Sequence, residues 1–126
     1  MSIAHGDFSV SLNDNIIMIT LSGSFNEFGA RAMISEIKAK IRVLDGGKFL
    51  VLVDSRELEG HTPGSLKELE LYNQWLNGQN MIAKALVVTS EMRRAIADIY
   101  IPAKHKQNLK EFDDVPPALK WLKAQL

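Results

Sequence analysis

Asp54, Ser55, Arg56, His61 and Ser65 bring an acid, a base and two hydroxyls into one short stretch. A serine hydrolase needs those three group types in hydrogen-bond contact beside an oxyanion hole. The stretch carries no G-x-S-x-G elbow, so the spacing does not specify that chemistry. The plainer reading pairs Asp54 with Arg56, uses Asp54 to cap the following turn and leaves His61 in solvent, and no enzymatic activity is expected. A second grouping, Thr89, Ser90, Glu91, Arg93 and Arg94, sits where a strand leads into a helix. Free backbone N–H groups there can hold an anion, and Arg93 and Arg94 add charge. Against this, Ser90 is a good N-cap and Glu91 repels an anion. His5, His61 and His105 are scattered and there is no cysteine, so neither a metal nor a cofactor is expected. No P-loop or G-x-G-x-x-G is present. Lys104, His105, Lys106 and Lys110 are a small basic cluster, but 15 basic side chains balance 15 acidic ones. With no basic excess and no interleaved aromatics, nucleic acid is not an expected partner.

The elements that must position these groups follow from periodicity. Phe8, Val10 and Leu12 alternate with polar residues and predict a half-buried strand. Asn13-Asp14-Asn15 turns the chain into Ile16–Leu21, a strand apolar on both faces, and Gly23 to Asn26 breaks the pattern. Ala30, Ile34, Ile37, Ile41 and Leu44 are the stripe of a helix over 27–44, capped by Asn26. Phe49–Val53, closed by Asp54, predicts a central parallel strand. A polar loop is expected from Ser55 to Gly64, then a helix over 65–78 with Leu66, Leu69, Tyr72, Trp75 and Leu76 on its apolar face. Ile82–Val88 is the fourth strand. The third helix starts at Glu91, with Met92, Ile96, Ile99 and Ala103 as its stripe. Leu109–Phe112 predicts an edge strand. Asp113-Asp114 caps a last helix with Pro116-Pro117 in its first turn and Leu119, Leu122 and Leu126 buried. The order β-β-α-β-α-β-α-β-α predicts an α/β layer sandwich: a mixed, mostly parallel sheet of about five strands, with a leading hairpin and four helices. At 126 residues and 46% hydrophobic composition, the chain is expected to be one domain, residues 1–126, with one real core. The start, Met1 to Asp7, lacks the charge and apolar run of an export signal, and no apolar stretch approaches about 20 residues. A cytoplasmic location is the resulting expectation.

Four pieces carry a resemblance to a known family. They are Leu21-Ser22-Gly23 before a helix, Val53-Asp54-Ser55-Arg56, Gly60-His61-Thr62-Pro63-Gly64-Ser65-Leu66, and Leu109-Lys110-Glu111-Phe112-Asp113 followed by Ala118-Leu119-Lys120-Trp121-Leu122. Their order resembles the STAS fold of anti-anti-sigma factors, and more narrowly the SpoIIAA-like proteins, a group described together with the CRAL-TRIO lipid-binding fold. Anti-anti-sigma factors carry aspartate-serine-serine-glycine at the start of the helix after the third strand. Thr62-Pro63-Gly64-Ser65 stands there instead, and Ser65 reads as a helix N-cap.

The resemblance implies a non-enzymatic regulatory or protein-interaction domain, docking a protein partner or a second copy as a homodimer. Asp54 and Arg56 would hold the loop's shape, and Thr62 to Leu66, with Ser65 among them, would present the contact. The alternative is a carrier or sensor of an apolar, lipid-like ligand. Tyr72 and Trp75 would line its pocket, and Arg56, Arg93 or Arg94 would meet an acidic head group beside Ser90.

Overall fold

The computed structural model describes residues 3–126. Met1 and Ser2, where the reading of an absent export signal begins, lie outside the described residues. Strand β1 (Asp7–Asn13) turns at Asp14, which takes a left-handed φ of 55°, into β2 (Ile16–Phe25). Helix α1 (Glu27–Val43) leads to β3 (Phe49–His61), α2 (Pro63–Leu76) and β4 (Met81–Val87). Helix α3 (Glu91–Tyr100), a short 3-10 turn (Pro102–Lys106), β5 (Leu109–Phe112) and α4 (Val115–Lys123) complete the chain. The five strands form one sheet in the order β1-β2-β3-β4-β5, antiparallel at the β1–β2 hairpin and parallel elsewhere.

Strand alternation divides the interior. Ile17, Ile19, Leu21 and Val51 face α1 and α2, packing on Met33, Ile37, Leu69 and Leu76. Ile16, Leu50, Leu52, Ala83, Ala85 and Val87 face the other way, onto Ala118 and Leu122 of α4. The small side chains of β4 let α4 lie close. Asn26 caps α1 as expected: its Oδ1 accepts from the Gly29 N–H at 2.9 Å and from the His5 N–H at 3.0 Å. Asp114 caps α4, accepting from the Val115 N–H.

Several expectations are corrected. The polar stretch from Ser55 is not a loop; β3 continues to His61, and β2 runs on beside it to Phe25, with register shifts after Thr20 and Gly23. Parallel pairing needs backbone groups, not apolar side chains, so composition hid this extension. Helix α2 starts at Pro63, and its N-cap is Thr62, whose Oγ1 accepts from the Ser65 N–H at 3.2 Å. Ser65 is therefore inside the helix and fully buried rather than its cap. Helix α3 has no buried residue: Met92 is 64% and Ile99 69% exposed, while Ala103 is buried in the turn that follows. Leu126, expected in the core, is exposed beyond the end of α4.

Candidate functional site

A cavity of about 1140 Å³ lies on the α1–α2 side of the sheet, with α2, α3 and strands β2 to β4 in its wall. Ile19, Leu21, Val53, Leu58, Leu66 and Leu86 supply much of the apolar surface. It exists because α3 does not seal against the sheet. That helix carries no buried residue, so its Ile96, Ala97 and Tyr100 form an outer wall instead of filling a core.

Two polar groups stand in the lining. The first is His61 with Arg93. The His61 ring packs on Phe25, centroids 5.6 Å apart, and its Nδ1 lies 2.8 Å from the Ser65 hydroxyl oxygen. Burial, reinforced by the Arg93 charge, pushes the imidazole down to about 4, so it is neutral at pH 7. It is thus not the solvated side chain expected. His61 and Ser65 do meet, but Ser65 has no exposed surface and no carboxylate among the described residues bonds the imidazole. The pair is a structural hydrogen bond joining the end of β3 to the first turn of α2.

The second group lies where Tyr72 and Asn73 of α2 face Lys84. Lys84, buried on β4, donates to Asn73 Oδ1 at 2.8 Å and Gln107 Oε1 at 3.3 Å. Its ammonium sits 5.8 Å from the centre of the Tyr72 ring. Burial, with the nearby Lys104 charge, pushes Lys84 down to about 7. The Tyr72 hydroxyl is buried without a hydrogen-bond partner, and burial raises it well above the usual phenol range. Sequence reasoning passed over Lys84, Asn73 and Gln107. The available signal was one charged residue inside an otherwise apolar strand.

The remaining expected site residues are dispersed by the same alternation. Asp54 and Arg56 point toward α4, on the opposite side of the sheet from the cavity. Arg56 grips Asp54 through two bonds of 2.8 and 2.9 Å and reaches Asp114 at 3.2 Å. Those bonds hold the Asp54 carboxyl below the usual carboxylate range. Arg56 thus braces β3 to the cap of α4 and cannot meet a ligand in the cavity. Arg94 lines the cavity but is held by Glu91, Glu111 and Asp113, and it donates to the Val88 carbonyl at 2.7 Å. Ser90 spends its hydroxyl capping α3, accepting from the Arg93 N–H at 3.3 Å. Leu66 and Tyr72 are in the cavity wall, whereas Thr62, Ser65 and Trp75 are not. Trp75 packs behind Tyr72, ring centroids 6.4 Å apart, under the Lys38 ammonium.

This arrangement can be set against known proteins. Residues 10–126 match the family described as a domain of unknown function, DUF7793. The chain belongs to that family. No curated protein matches it. Among solved structures, the DUF7793 chain is similar to an uncharacterized protein of the DUF3478 family with a SpoIIAA-like fold from Shewanella loihica PV-4. The TM-score is 0.70 at 15% identity, over 97% of each chain. It is also similar to an anti-sigma factor antagonist from Mycobacterium paratuberculosis. There the TM-score is 0.68 at 17% identity, covering 94% of this chain and 95% of the other. The fold of this DUF7793 chain is therefore SpoIIAA-like, as the resemblance of the sequence motifs implied. No helix among the described residues is long and apolar enough to cross a membrane, and no cluster of metal-ligating side chains occurs among them.

Proposed function

We propose that this domain is a non-enzymatic sensor or carrier that holds an apolar small ligand between α2, α3 and the sheet. The cavity carries the reading. Its 1140 Å³ lies just above the range of about 300–1,000 Å³ usual for small-molecule sites. The space is neither sealed nor flat, so solvent or a ligand can enter it. Apolar walls favour the ligand. Thermal unfolding with decanol, dodecanol and decanoate tests this: binding to the folded state raises Tm. Ala97→Trp, on the thin outer wall, should abolish the rise. No shift with any of the three refutes the reading.

A second reading, docking of a protein partner or a second copy, is favoured by the exposure of Met92, Ile99 and Tyr100 along α3. The Mycobacterium paratuberculosis relative, by its name, antagonises an anti-sigma factor. On this reading α3 is the contact, in place of the Asp54–Ser65 stretch. The two readings join if the ligand, by bracing α3 from within, sets the shape that a partner meets.

A further inference from the structure

Resting on the reading of the cavity as a small-ligand site, we propose that its inner, Lys84 end receives a carboxylate, so that the ligand is an apolar monocarboxylate seated head-inward. Two unmet needs point there. In its protonated form Lys84 has three N–H donors but two neutral partners, the side-chain oxygens of Asn73 and Gln107. It is 7% exposed, and a buried cation without a counter-charge is unfavourable. Tyr72 lines the same wall, and its hydroxyl is buried with no hydrogen-bond partner among the described residues. A carboxylate has two acceptor oxygens and no donor. It matches one ammonium N–H and one phenol O–H, and it supplies the missing negative charge.

The other charged groups in the lining leave that need in place. Lys104 adds positive potential beside Lys84, and its own ammonium is bonded to Asp98. Glu70 accepts from the Ala103 N–H at 2.9 Å and from the Gln74 amide. Glu59 is exposed. Among the described residues no carboxylate hydrogen-bonds to or ion-pairs with Lys84, and burial and the Lys104 charge push its ionisation the same way. Arg93 and the exposed Lys67 are the competing cations in the lining. Arg93 is partly exposed and none of its side-chain N–H groups is buried without a partner, so an anion there gains less than one that relieves a buried group.

The test is calorimetric titration of the full chain with decanoate and with 1-decanol, which share a tail and differ in the head. Decanoate should bind about tenfold or more tightly than decanol, the worth of charge-assisted hydrogen bonds in a buried site. Lys84→Met should remove most of the margin between decanoate and decanol, both measured in that variant. Asn73 Oδ1 keeps its 3.0 Å bond from Gln107 Nε2 in that variant, so the wall remains tied together. Tyr72→Phe should remove part of the preference, and it carries the test alone if Lys84→Met does not fold. Equal affinity of the wild-type protein for both compounds overturns the carboxylate assignment and leaves the cavity reading intact. A preference that survives Lys84→Met but disappears in Arg93→Gln overturns the inward orientation. If neither compound binds, the cavity reading falls and this assignment with it.

Discussion

Lys84→Met in the ligand-free protein also isolates the electrostatic strain in the cavity wall. Lys84 is pushed from 10.5 to about 7 by burial and by Lys104. A lysine with a depressed folded value binds fewer protons folded than unfolded between those two values, so stability rises with pH across that window. The cost to the folded state is complete below about 7 and gone above about 10.5. Its size is about 5 kcal/mol, from the fall of 10.5 to about 7 at about 1.4 kcal/mol per unit. Met keeps the apolar stem and removes the charge. Altered apolar packing is the same at every pH, so it cancels when wild type and variant are compared across pH, and what remains is the pH-dependent part tied to the Lys84 proton. Urea unfolding of both proteins at pH 6, 8 and 10 gives the needed differences. The variant should be more stable at pH 6 by several kcal/mol relative to its standing at pH 10, with most of the change between pH 7 and 10. A wild-type-to-variant difference that stays flat with pH would refute the claim that a desolvated ammonium faces the cavity, and with it the need for a counter-charge.

Four further predictions concern the frame around the site. Ser65→Ala leaves His61 Nδ1 without its partner and should lower stability by about 1–2 kcal/mol in urea unfolding. Ser65→Glu gains less than about 1 kcal/mol from a charge near a helix N-terminus but buries a carboxylate at a site with no exposed surface, so it should lose several kcal/mol. The same burial means that kinase treatment of the folded protein should leave Ser65 unmodified by mass spectrometry. Gly29→Ala would gain about 1 kcal/mol of helix propensity, but its Cβ would stand 1.9 Å from the His5 carbonyl oxygen. A backbone clash of that kind outweighs the gain, and a net loss of about 1–3 kcal/mol is expected in thermal or urea unfolding. A more stable Gly29→Ala protein would show that the segment before β1 is not held against α1.

Most elements were legible because their cause is local. The 3.6-residue stripe of Ala30, Ile34, Ile37 and Ile41 needs a helix whatever surrounds it, and those residues are buried together as expected. The continuous apolar run Phe49–Val53 needs cover on both faces and has it. Reading failed where non-local pairing replaced side-chain pattern. β3 runs on through Ser55 to His61 because β2 lies alongside with open backbone groups. The α3 stripe misled for the opposite reason: amphipathicity shows that a helix has an apolar face, not that anything seals against it.

The candidate site divides in the same way. From sequence alone came the β-β-α-β-α-β-α-β-α order of elements, the caps at Asn26, Ser90 and Asp114, the Asp54–Arg56 pair and the placing of Leu66 and Tyr72 on one apolar helix face. Each depends on neighbours close along the chain, where spacing translates directly into geometry. Tertiary structure alone decided which of these share a space. Pleat alternation turns Asp54 and Arg56 toward α4 and sends His61 to the other side of the sheet. Three acidic side chains draw Arg94 away from ligand duty. The parallel crossovers bring Lys84 of β4, Tyr72 and Asn73 of α2, and Gln107 before β5 to one end of the cavity. A buried cation's need for a counter-charge is set by everything packed around it, and that enclosure comes only from segments remote in sequence.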